Sequence, residues 1–305
     1  MTTAHTTAPA DAPRLLHAQV NGLNVAYREA GDPQNPAFVL LHGFPSSSFM
    51  FRNLMPLLAS RFYVIAPDYI GFGDSAAPAA TDFAYTFDNL TAHVTGLLAQ
   101  LGIERHYLYM HDYGGPIGLR MASARPDSIL GLVVQNANSY VDGIGALTGA
   151  AFTSLWQGHD ETGVRRLLTP QITQYQYSAG SRDPASLDPA TWALDSSRLS
   201  RPGSDERQLA LFRDYQSNMA RYPQWQAYLR EHQPKTLVVW GDGDPLFTPA
   251  GADAYGRDLR DIAIHHLNTG HFALEEDAQL IAQLTLEFFA LIDHQPAHLI
   301  GGVAP

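Results

Sequence analysis

The sequence predicts an α/β fold: a mostly parallel sheet with helices on both faces, interrupted by an inserted helical lid. Three observations predict it. Short apolar runs of strand length alternate with segments at helical spacing through the first part of the chain, as β-α-β units require. Several of these runs are continuously apolar, Ala37 to Leu41 and Phe62 to Ala66 among them, as strands buried on both faces are. The strand pattern then lapses after Gln135 and resumes at Thr236, leaving about a hundred residues without a strong buried-strand run.

The chain has 305 residues, 45% hydrophobic and 16% charged, enough for a full core in one large domain or one domain with an insertion. Its formal net charge of -11 argues against nucleic acid and against an anionic membrane surface as partners. The absence of cysteine excludes disulfides, thiolate nucleophiles and Cys-based metal sites. No apolar run approaches the roughly 18 residues that would span a bilayer. Residues 1–13 are small and polar, unlike a secretory signal, and are expected to be a disordered tail on a cytoplasmic protein.

In order, Leu15 to Val20 and Leu23 to Tyr27 flank Asn21-Gly22, a hairpin signal. Ala37 to Leu41 ends at the turn His42-Gly43-Phe44-Pro45. Phe51 to Leu58 is expected to be a helix, and Phe62 to Ala66 a strand ending at Pro67-Asp68. From Thr86, Phe87, Leu90, Val94, Leu97, Leu98 and Leu101 recur near helical spacing. An apolar run from Tyr107 then meets His111-Asp112, with Tyr113-Gly114-Gly115 at once behind. A buried strand should end there and a helix begin, running to Ala124 with Pro116 in its tolerated first turn. Ile129 to Val134 is the next strand. Residues 136–233 carry scattered prolines and aromatic-rich helical pieces, the lid. Thr236 to Trp240 and Ile262 to Leu267 are the last strands, and Ala273 to Ile292 a closing helix. The core is thus expected in two parts, 14–135 and 234–305.

Three polar residues fall just beyond the C-terminal ends of predicted strands: Asp112, Asp244 and His271. Sites in open parallel sheets form at that edge. Asp112 alone reads as a helix N-cap, His271 alone as an ordinary surface histidine, and Asp242 competes with Asp244 as the acid. The Asp242-x-Asp244 pair lacks the further ligands of an EF-hand. His265-His266 should alternate faces of a strand, poor geometry for one metal. Gly71-x-Gly73 lacks the rest of a dinucleotide fingerprint. No metal site and no cofactor is expected, and His42 is expected to be structural.

The order nucleophile, acid, histidine is that of α/β-hydrolases. Together with His42-Gly43-Phe44-Pro45, Asp68-Tyr69-Ile70-Gly71-Phe72-Gly73-Asp74-Ser75, His111-Asp112-Tyr113-Gly114-Gly115 and Gly270-His271-Phe272, in register, it makes residues 14 to about 293 resemble the α/β-hydrolase superfamily. The resemblance is to the branch with an aspartate nucleophile, which holds epoxide hydrolases and haloalkane dehalogenases. It implies a hydrolase with Asp112 as nucleophile, His271 as base, and Asp244 rather than Asp242 as the acid behind it. It also implies oxyanion donors at the backbone N–H groups of Phe44 and Tyr113.

An aspartate suits that chemistry. It is ionised at neutral pH, so it needs no base to attack saturated carbon, where it forms an alkyl ester. Attack on an acyl group would instead give a labile anhydride. Water then cleaves the ester with His271 as general base. In the resemblance, dehalogenases usually place tryptophan after the nucleophile and often asparagine after His-Gly; Tyr113 and Phe44 stand there. Epoxide hydrolases generally use two lid tyrosines, and Tyr140 and Tyr215, with Tyr113, are the leaving-group or substrate-binding candidates. The expected substrate is a small apolar organic electrophile, with water as co-substrate, in a monomer or homodimer. Epoxide hydrolysis is the first reading, haloalkane dehalogenation its nearest rival, and mere ligand binding on a hydrolase fold the third.

Overall fold

The structure is a computed structural model that describes residues 12–290. The expected tail falls almost wholly outside those residues, as do 291–305 of the last segment. A hairpin opens the chain. β1 (Arg14–Val20) and β2 (Leu23–Ala30) pair antiparallel around Asn21 and Gly22, at φ 50° and 81°. That positive-φ pair is what a two-residue turn matching the strand twist requires. β3 (Ala37–Leu41), β4 (Tyr63–Pro67), β5 (His106–His111), β6 (Ile129–Gln135), β7 (Thr236–Gly241) and β8 (Ile262–Leu267) complete one eight-stranded sheet. Its order is β1-β2-β4-β3-β5-β6-β7-β8, antiparallel at β1, β2 and β4 and parallel from β4 onward.

Strand alternation divides the core between the two faces. Val39, Leu41, Leu108, Met110, Leu132 and Val134 pack on one side; Phe38, Leu40, Tyr107, Tyr109 and Val133 pack on the other. The first face is covered by α2 (Phe87–Gln100) and α3 (Gly114–Ala124). The Thr86 hydroxyl caps α2 by accepting from the Asn89 N–H, 3.2 Å away. The second face is covered by α1 (Met55–Leu58) and α10 (Leu274–Ala290). The helix expected over 51–58 is in fact split. A 3-10 turn spans Ser48–Phe51, and α1 starts afresh with Pro56 in its first turn, where a missing N–H costs nothing.

Between β6 and β7 the described chain forms no strand. It holds α4 (Ala146–Gly158), α5 (Thr162–Arg166), α6 (Pro170–Ser178), α7 (Ala190–Leu199) and the long α8 (Ser204–His232). Buried and half-buried polar contacts fasten this insertion to the core. Arg120 on α3 donates to Asn218 on α8 (2.6 Å), Asp214 accepts from the Phe87 N–H (2.8 Å), and Arg198 reaches Asp74 (3.0 Å). A short α9 (Ala250–Ala254) follows β7; five residues carry too little periodicity to be read from sequence.

Candidate active site

Asp112 is the first residue past β5, and α3 starts two residues later. Its φ of 49° lies in the left-handed region, a sharp turn that lifts its side chain above the sheet edge. Neighbours fix this conformation. The Asp112 N–H donates to the Asn136 carbonyl (3.2 Å) and its own carbonyl accepts from the Gly115 N–H (3.0 Å). The approach is close enough to demand glycine at two points. A Cβ on Gly43 would lie 2.2 Å from the Asp112 Cβ, and one on Gly114 would lie 2.1 Å from the Leu41 carbonyl oxygen.

The carboxylate has two different ends. Oδ1 accepts from the Phe44 N–H at 2.7 Å, and the Tyr113 N–H bonds the same carboxylate. Oδ2 faces His271 Nε2 at 3.9 Å. His271 Nδ1 is 2.6 Å from Asp244 Oδ2, which makes Nδ1 the protonated nitrogen and leaves Nε2 turned toward Asp112. Asp244 Oδ1 accepts from the N–H groups of Leu246 (2.7 Å) and Phe247 (3.1 Å). The structure therefore brings Asp112, Asp244, His271, Phe44 and Tyr113 together. Asp242 points elsewhere, pairing with His266 at 2.7 Å.

Burial governs the electrostatics. It pushes the Asp112 carboxyl up to about 6, against the opposing pull of His271 and the two backbone N–H groups. For His271 burial acts downward, yet the charge and hydrogen bond of Asp244, joined by the charge of Asp112, raise it overall. His42 is held down at about 4 by burial; its ring nitrogens meet the Gly43 carbonyl (3.0 Å) and the Tyr69 N–H (3.3 Å), a structural bracing.

A small cavity lies over Asp112. Phe44 and Tyr113 line it from the core; Thr148 and Phe152 of α4, Gln176 of α6 and Tyr215 of α8 roof it from the insertion. Tyr113 Oη is buried without a hydrogen-bond partner, and the Tyr215 ring stacks on Phe152 at 5.1 Å. Tyr140 is not at this cavity. Its hydroxyl donates to Asp258 (2.7 Å) and its ring packs on Tyr255, both in the stretch between β7 and β8. It is withdrawn as a leaving-group candidate. Tyr177 is likewise engaged, with Asp195 at 2.6 Å. Among the described residues no cluster of three or more His, Asp or Glu could hold a metal, and no helix is long and apolar enough to cross a membrane.

Two residues escaped the sequence reading. Asn136, fully buried at φ 41°, joins the strand ends: Nδ2 donates to Asp244 Oδ2 (2.8 Å) and Oδ1 accepts from the Gly241 N–H (2.9 Å). It follows β6 directly, so the sheet-edge rule that marked Asp112 also marks it. Gln176 carried no such signal, since it lies within an irregular run of helical pieces.

Comparison with known proteins places the chain in a family. An uncharacterized hydrolase of Saccharomyces cerevisiae, YNR064C, is 41% identical over 276 residues, 88% of this chain and 94% of its own. Epoxide hydrolase 2 of Siraitia grosvenorii is 36% identical over 141 residues, 43% of this chain and 44% of its own. The crystal structure of the haloalkane dehalogenase DbeA from Bradyrhizobium elkani superposes with a TM-score of 0.76 at 26% identity, over 92% of this chain and 99% of that one. The family model for the alpha/beta hydrolase fold matches residues 36–278, from β3 into α10. That match passes through every turn carrying the site, and the chain belongs to the α/β-hydrolase family.

Proposed function

We propose that the protein hydrolyses small epoxides through an alkyl ester on Asp112. Asp112 Oδ2 attacks a ring carbon, the carbon–oxygen ring bond breaks, and the freed alkoxide takes a proton from a tyrosine hydroxyl. Water then attacks the ester carbonyl while His271 Nε2 takes its proton, and Asp244 steadies the imidazolium. The oxyanion forms on Oδ1, which the Phe44 N–H already meets, with the Tyr113 N–H bonded to the same carboxyl. Collapse releases the second alkoxide, which His271 protonates, and the proton left on the regenerated carboxyl restores the tyrosine. The insertion acts as a lid that sets the size of the substrate.

The observation that carries this reading is the pair Tyr113 and Tyr215 in one cavity with Asp112, Tyr113 Oη having no other partner. The second reading is haloalkane dehalogenation. The dehalogenase among the similar structures favours it, and the Tyr113 hydroxyl suits a halide as well as an alkoxide. Against it, no tryptophan lines the cavity, and the indole N–H of nearby Trp156 is spent on the Phe212 carbonyl (2.9 Å).

The test is His271→Ala, incubated separately with epoxides and haloalkanes and read by intact mass. Loss of the base slows ester cleavage by about 10²- to 10⁴-fold, so one equivalent of adduct accumulates and maps to Asp112. Adduct from haloalkanes alone would replace the first reading by the second. Tight ligand binding with no adduct from either panel would sink both in favour of a binding protein.

A further inference from the structure

We propose that Gln176 and Thr148 form a hydrogen-bonding subsite that selects electrophiles bearing a hydroxyl group of their own. The proposal rests on the alkyl-ester reading and narrows its substrate class.

Gln176 is 1% exposed and Thr148 9% exposed, and both line the cavity that holds Asp112. Neither Gln176 Oε1 nor Thr148 Oγ1 has a hydrogen-bond partner. They come from different helices, α6 and α4, and line one cavity whose other lining is mostly apolar or aromatic, Phe152, Phe212, Leu246 and Phe247 among it. Burying an amide oxygen without a partner is costly, and a leucine of similar shape would pack there at no such penalty. A guest that hydrogen-bonds these groups removes the penalty when it enters; an isostere that lacks the group does not.

The chemistry of the wall specifies that guest. Threonine donates and accepts, and the glutamine amide presents an acceptor and a donor at one end, so a hydroxyl group matches either. A carboxylate does not fit. No lysine or arginine lines the cavity, and an anion would face Asp112 uncompensated. The neutral apolar substrate expected from sequence is thereby refined to a neutral one with a polar end.

Matched pairs test this. Glycidol and 1,2-epoxybutane differ by a hydroxyl in place of a methyl, as do 3-bromo-1-propanol and 1-bromobutane. In the unmodified protein kcat/KM favours the hydroxylated member of the reactive pair by about tenfold or more. Gln176→Leu lowers that ratio by about tenfold, chiefly through KM of the hydroxylated member, while the apolar member is turned over as well or better. Thr148→Val acts in the same direction. A purely structural role for Gln176 predicts equal losses on both members and a lower melting temperature. Turnover with an unchanged ratio in Gln176→Leu overturns the inference alone. No turnover of either pair overturns the alkyl-ester reading and the inference with it.

Discussion

Gly43→Ala perturbs the nucleophile sharply without replacing any functional side chain. The added Cβ would stand 2.2 Å from the Asp112 Cβ, 2.6 Å from Oδ1 and 2.8 Å from Cγ. Ordinary carbon–carbon contact is about 3.5 Å, so one of the two chains must yield by about 1.3 Å. Asp112 sits on a turn tied to Asn136 and Gly115, and Oδ1 is held by Phe44, the residue next to the substitution. Relief therefore comes from swinging the carboxylate or withdrawing the Phe44 N–H, and either opens the 2.7 Å bond. A misplacement of about 1 Å can cost about 10²-fold in rate, equivalent to about 2.7 kcal/mol of barrier. The assay is adduct formation on Asp112 by intact mass in the His271→Ala background, which isolates the first step. Thermal melting serves as the fold control, since overpacking of this kind costs about 1–3 kcal/mol. Alkylation at an undiminished rate in a folded Gly43→Ala variant would show that the approach of the two loops does not set the geometry of attack.

Two further outcomes follow from the same geometry. Because Asp112 must be ionised to attack and its carboxyl is raised to about 6 by burial, the single-turnover alkylation rate is flat above that pH and falls about tenfold per unit below it. Removing the cationic partner in His271→Ala moves the midpoint higher; a midpoint near the usual carboxylate value of about 4 in rapid-quench or mass measurements contradicts the burial argument. Asn136→Ala strips a buried bond to the Asp244 carboxylate and one to the Gly241 N–H, and should lower unfolding stability by about 2–4 kcal/mol. Urea denaturation checks this, and a loss below about 1 kcal/mol would mean that neighbouring groups take over those bonds.

Sequence legibility tracked how far each feature depends on local pattern. The inner strands were readable because burial on both faces makes their runs continuously apolar, as at Ala37–Leu41 and Thr236–Gly241; the edge strand Ile262–Leu267, only partly buried, was found at its expected bounds from its shorter apolar start. The positions of Asp112 and His271 near the sheet edge were readable because each follows a strand, Asp112 one residue after β5 and His271 four residues after β8, and the motif around His271 marked it where position alone would not. The insertion obeyed no such rule. Its helices pack on the core and on one another with several faces, so no single stripe announced that α6 would aim Gln176 inward or that Tyr140 would turn to Asp258. Nor could spacing show that Tyr215 would reach the cavity while Tyr177 would be held by Asp195. Those outcomes are set by contacts between elements distant in sequence.

The arrangement of charges gives the proposed two steps their order. In the free protein the Asp112 carboxylate is one of the groups that raise His271, the other being Asp244. Attack on an electrophile converts that carboxylate to a neutral ester. One of the two anions stabilising the imidazolium then disappears, while burial, which favours neutral imidazole, remains. Alkylation thus shifts His271 toward the neutral imidazole that the second step needs. Asp244 is unaffected by the first step, held as it is by Leu246, Phe247 and Asn136, so the orientation of the ring persists while its charge changes. Had the acid been Asp242, which pairs with His266 on a neighbouring strand, the ring would have lost the Nδ1 partner that keeps Nε2 turned toward Asp112.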